Sequence, residues 1–153
     1  MKPAGMVHAL EAIRRLLRPG GRLIDIHPAP TAWVVEVHQE RRLLFAAPSR
    51  DDGDYDADVL QAEDALAQIV RRGLFVIERS GKFDIRVYAS SVAELRKYMT
   101  EASAFDEEPE DEASAARKTE LYARLEAIMQ AAGGGTEVAY HERGRIACLR
   151  PDS

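Results

Sequence analysis

The stretch RRLLRPGGRLIDIHP, residues 14–28, constrains this chain more than any other. Met6, Leu10, Ile13 and Leu17 recur at helical spacing with Leu16 beside them, while Glu11, Arg14, Arg15 and Arg18 take the opposite face, so an amphipathic helix is expected. Pro19 cannot continue it, and Gly20 and Gly21 can take the positive φ values that cap a helix and turn the backbone into a strand. That strand, Arg22 to Ile26, carries Leu23, Ile24 and Ile26 on both sides of its pleat, which predicts an interior strand covered on both faces. The order helix, glycines, strand is the reverse of a phosphate-cradling loop, in which a strand leads through glycines to a helix N-terminus. The glycines at 133–135 also lack that order, and both runs are read as turns.

A chain of 153 residues with 46% apolar and 31% charged residues can bury one ordinary core, so a single domain over 1–153 is expected. The net charge of −5 excludes nucleic acid as a partner unless a basic face is segregated, and the arginines are scattered. Cys148 has no second cysteine to pair with and lies in an apolar strand pattern, which suits a small core residue. No apolar run reaches the roughly 18 residues of a membrane span, and the N-terminus lacks a signal-peptide core. A cytoplasmic protein with no membrane partner is the expectation.

Downstream, residues 32–37 and 42–47 flank the polar turn His38 to Arg41 as a hairpin. Asp58, with Gln61 three residues on, predicts the N-cap of a helix whose apolar stripe is Val59, Ala62, Leu66, Ile69 and Val70 and whose stop is Gly73. A second hairpin is expected across Ser80-Gly81-Lys82, with Phe75, Ile77, Phe83, Ile85 and Val87 on its core face. Ser91 and Glu94 form a capping box for a helix over 92–103. The acidic run 106–112 leads into a helix carrying Leu121, Leu125, Ile128 and Met129, and a third hairpin is expected over 136–150 with its turn at 142–144.

Residues 6–28, through Leu17, Pro19, Gly20, Gly21 and Leu23, resemble the segment of class I S-adenosylmethionine-dependent methyltransferases in which the fourth helix passes through a Pro-Gly-Gly turn into the fifth strand. The resemblance implies a fold between α/β and α+β: the C-terminal part of a Rossmann-like methyltransferase sheet. Its elements would lie at 6–28 and 106–150, with an antiparallel hairpin and helix subdomain inserted over 29–104. In that family the cofactor contacts come from earlier strands. The resemblance therefore implies no cofactor for the isolated chain, with S-adenosylmethionine held only if a partner chain supplies the site.

The strand tip Asp25 to Pro28 is where such a sheet would place its chemistry, and Asp25 and His27 are the candidate catalytic pair, His27 as a general base. Trp33, Tyr88 and Tyr98 are candidates to line a substrate pocket. No metal site is expected: His8, His38 and His141 lack ligand spacing, and DDGDYDAD at 51–58 has neither the glycine nor the twelfth-position glutamate of a calcium loop. Nor does any Ser or Cys sit in a nucleophile context. Three functions fit. The first is a methyltransferase-like, non-catalytic module that self-associates or binds a partner. The second is the C-terminal subunit of a split methyltransferase acting on a small molecule. The third, weaker reading is a small ligand-binding domain. If the first strand is the family's fifth, the fourth that would pair with it is missing, so the resemblance implies an unpaired edge and a homodimer through residues 6–27.

Overall fold

Arg18, Pro19, Gly20 and Gly21 make a tight turn in which the Gly21 amide donates to the Arg18 carbonyl at 2.8 Å and Gly20 adopts φ +76°. A positive φ at the third turn position after proline is the type II geometry, and only glycine takes it without strain. In the computed structural model, which describes residues 3–31, 33–49, 57–102 and 112–152, this turn joins helix α1 (Pro3–Leu16) to strand β1 (Leu23–Pro28). Then come β2 (Val34–Gln39), β3 (Arg42–Pro48), α2 (Ala57–Arg71), β4 (Phe75–Ala89), α3 (Val92–Ala102), α4 (Glu112–Ala132) and β5 (Thr136–Pro151). The acidic run at 106–111 and residues 51–56 lie outside the described residues.

Among the described residues, four helices and an open, five-stranded sheet make a mixed α+β fold. The path of strand neighbours is β1-β5-β2-β3, β4 also pairs with β5, and the pairings of β1 and β2 with β5 and of β2 with β3 are antiparallel. β1 runs against the end of β5, from Leu23 opposite Leu149 to Pro28 opposite Gly144. β2 runs against its beginning, from Val34 opposite His141 to Gln39 opposite Thr136.

The chain divides into two compact units. The first comprises residues 1–31, 55–84 and 143–153, and its core is Val7, Ala65, Ile69, Phe75 and Leu149. Gly73 closes α2 at φ +66°: its amide donates to the Val70 carbonyl at 3.0 Å and the Leu74 amide to that of Ile69 at 3.0 Å, a Schellman stop. α2 begins at Ala57, so the expected N-cap position, Asp58, already lies within the helix, and Gln61 Oε1 is buried without a hydrogen-bond partner.

The second unit, residues 32–54 and 85–142, packs Val35, Val37, Val138 and Tyr140 of the sheet against Val92 and Leu95 of α3 and Tyr122 and Leu125 of α4. The β2–β3 hairpin forms as expected, with Glu40 at φ 49° and Arg41 at φ 70° in its two-residue turn, a geometry that normally selects asparagine and glycine. The capping box of α3 also forms: Ser91 Oγ accepts from the Glu94 amide at 3.2 Å, while the Glu94 carboxylate accepts from the Ser90 amide at 2.8 Å and its hydroxyl at 2.7 Å. Those donors hold the Glu94 carboxyl below the usual carboxylate range.

Three expectations fail for physical reasons. Residues 75–89 and 136–151 are each one continuous strand, not two hairpins. Neither Gly81 nor Gly144 has a positive φ; Gly144 instead clears space for the Phe83 ring crossing the backbone, whereas a side chain at Gly81 would meet only ordinary contact with Ile146. Ile77 and Ile85 are 46% and 39% exposed, so the strand does not bury the whole alternating set. β1 is an edge strand covered on one face only: Leu23 turns to the core, whereas Ile24 and Ile26 stand 53% and 61% exposed. Where an antiparallel strand is covered by a helix on one face only, alternate residues meet solvent. Gly144→Ala would drive a methyl group into the Phe83 ring and is expected to cost about 1–3 kcal/mol, while Gly81→Ala, whose methyl meets only ordinary contact, should cost well under that. Paired thermal or denaturant melts check this; equal effects would contradict the packing.

Candidate functional site

Strand periodicity puts Asp25 and His27 on the same face of β1, the face toward α2. His27 Nδ1 lies 2.7 Å from Asp25 Oδ2, and Nε2 lies 3.3 Å from Oε1 of Glu63 on α2. Arg145, opposite His27 across the β1–β5 ladder, holds both oxygens of Glu63 through Nη1. The expected pair is therefore together, extended by a glutamate and an arginine that its local sequence does not announce. A general base needs a ring nitrogen whose lone pair can meet a substrate proton. Both nitrogens of His27 are occupied by carboxylates, and Glu63 is tied by Arg145, so the cluster is satisfied within itself.

A second cluster, which the sequence reading missed, lies in the second unit. Glu36 of β2 is only 5% exposed, yet it is the hub of a polar network on the face opposite Val35 and Val37. Its Oε2 accepts from Nε2 of His38 at 2.8 Å and from Nε of Arg86 at 3.1 Å, and its Oε1 accepts from Nδ1 of His141 at 2.9 Å. Burial alone would push this carboxyl up. The donors from His38, Arg86 and His141 outweigh it and hold the carboxyl below its ordinary range, so Glu36 stands as a carboxylate. β2, β4 and β5 each contribute a side chain, so the network pins three strands by one charge.

A signal for it was in the sequence. Asp25-Ile26-His27 and Glu36-Val37-His38 are the same pattern, an acid and a histidine two residues apart in a strand with an apolar residue between them. Such spacing places both polar groups on one face and lets them pair. Arg86, His141, Glu63 and Arg145 come from distant elements, and no local pattern marks them.

The aromatic candidates do not converge. Trp33 meets Tyr140 edge-on, with ring centroids 5.2 Å apart, and packs against the helix-covered core, whereas Tyr98, 40% exposed, has its ring centroid 6.4 Å from the same tyrosine. Tyr88 instead stands edge-on to His38 at 5.6 Å, beside the Glu36 network. Cys148 Sγ lies 3.8 Å from Glu78 Oε2 in the first unit. Among the described residues no group of three or more His, Cys, Asp or Glu side chains is arranged to hold a metal ion, and no helix is long and apolar enough to cross a membrane. Compared with protein-family models, curated proteins and solved structures, the chain matches none.

A carboxyl whose folded pKa is depressed adds stability that is fully present above its unfolded value, about 4.3, and is lost as pH falls through the folded value. Wild type should therefore lose stability more steeply on acidification than Glu36→Gln, which carries no titrating group there. At neutral pH Glu36→Ala, which strands buried donors, is expected to cost about 3 kcal/mol. Melting temperatures across an acid series check both; parallel curves for wild type and Glu36→Gln would contradict a charged, buried Glu36.

Proposed function

We propose that the chain is a non-catalytic module that self-associates through β1. The observation that carries this reading is the free edge of β1 beside its exposed apolar face. β1 ends the path of strand neighbours, pairing with β5 alone, so one edge has no strand partner among the described residues. Beside that edge Ile24 and Ile26 face solvent, and Ile146, opposite Ile26 on β5, is 38% exposed. An edge with open amides and carbonyls next to branched apolar side chains is a template for another strand. A second copy of β1 is self-complementary to it, and two-fold pairing closes the assembly.

The polar clusters favour the non-catalytic reading, because Asp25, His27 and Glu36 spend their donors and acceptors on neighbours. A split methyltransferase with a cofactor-bearing partner would need the strand tip to offer an open acid or base, and it is the less supported reading. The relation to methyltransferases stays a proposal resting on residues 6–28, where helix, Pro-Gly-Gly turn and strand follow in the order the resemblance implies.

Light scattering on the purified protein at micromolar concentration is expected to give twice the mass of one chain. Ile26→Lys, at an exposed position, should yield a monomer whose melt by circular dichroism remains cooperative. A monomeric wild type, or a dimer indifferent to Ile26→Lys, would sink the β1 reading.

A further inference from the structure

In the first unit a recess of about 460 Å³ opens where α1 ends, floored by the turn at 19–21. Its charge is one-sided. Arg14, Arg18, Arg22 and Arg150 line it, and Glu78 is the only acid in its wall, in a chain whose net charge is −5. The same helix-to-strand turn whose polarity rules out a backbone phosphate cradle thus gathers guanidinium groups around itself.

The partners of these arginines leave most of the positive charge uncompensated. Arg14 donates from Nε to the Leu74 carbonyl at 3.0 Å and from Nη2 to the Asp152 carbonyl at 2.9 Å, bonds that fix the guanidinium without neutralising it and leave three of its five N–H donors for other use. Arg22 holds Glu78 at 2.5 Å, and Arg150 approaches the same carboxylate at 3.7 Å, so one acid positions two cations. The Arg18 side chain is exposed, and its guanidinium has no hydrogen-bond or ion-pair partner among the described residues. Four cations against one anion leave a surplus of three. Fixed like charges drawn around one concavity raise the local concentration of counter-ions and favour an anion that can bridge them.

We infer that this recess is a binding site for a small phosphate-bearing anion with at least two negative charges, held by guanidinium groups. The planar fork of arginine matches phosphate oxygens in pairs, and Arg14 and the Glu78-anchored Arg22 and Arg150 are already held in place, so little ordering remains on binding. Size agrees, since ligand recesses run from about 300 to 1,000 Å³. No aromatic ring lines the wall, so nothing there would stack on a base, which favours a small anion over a nucleic-acid strand.

Calorimetric titration with inorganic pyrophosphate at constant ionic strength tests this on the whole chain. Saturable binding at one site per chain is expected. Arg18→Glu, which breaks no contact in the structure, should weaken binding about tenfold or more, and Arg150→Glu likewise. Lys97→Glu, an equally drastic charge change on α3 in the other unit, should leave the affinity essentially unchanged. Circular dichroism confirms that each variant is folded. Absence of saturable heat, equal weakening by all three variants, or a short DNA duplex binding more tightly than pyrophosphate would each overturn the assignment.

Discussion

The fold depends on β5 not turning. At Glu142-Arg143-Gly144 the sequence has the polar, glycine-bearing look of a hairpin loop, yet the backbone stays extended for 16 residues from Thr136 to Pro151. The Phe83 ring lies where a side chain on residue 144 would be, and Gly144 serves as the gap that admits it. At that crossing Pro28 pairs opposite Gly144, and the Ala29 amide donates to the Arg143 carbonyl at 2.7 Å. Because the strand runs on, it can offer Leu149 to one core and Val138 with Tyr140 to the other.

Within each unit the sheet carries one acid–histidine pair, and the surroundings differ. In the first, Asp25 and His27 share the helix-facing side of β1 with Leu23, and the histidine reaches a glutamate on α2. In the second, Glu36 and His38 lie on the side away from the apolar core, and their partners come from neighbouring strands. Such networks fix strand positions more than they lend reactivity, since each carboxylate in them already accepts from a neighbouring side chain. The unsatisfied features lie elsewhere in the first unit: the edge and outer face of β1, and the arginines around the turn that precedes it.

Much of this was legible in the sequence. The stops at Pro19-Gly20-Gly21, Gly73 and Gly133 were plain because helix exit needs a positive φ, and Gly20, Gly73 and Gly133 take it. The Ser91–Glu94 box and the β2–β3 hairpin follow from local chemistry in the same way. Gly81 and Gly144 misled because a glycine within an extended strand, at Gly144 one that makes room for the Phe83 ring, looks the same in sequence as one that turns the chain. Burial of β1 was overestimated because apolar residues on both faces suggest two coverings, whereas Ile24 and Ile26 are left exposed. In the candidate sites, the acid–histidine pairs are local and readable; Glu63, Arg145, Arg86 and His141 arrive through tertiary pairing and are not.

Continuity of β5 can be read directly from amide hydrogen exchange resolved by residue. With Gly144 and Arg145 paired to β1 and the Arg143 carbonyl bonded to the Ala29 amide, the backbone from Arg143 to Arg145 should exchange slowly, with protection comparable to that of Val138 and Leu149 in the buried parts of the strand. Rapid exchange confined to Glu142, Arg143 and Gly144, flanked by protected residues, would mean that the chain turns there and would contradict the account.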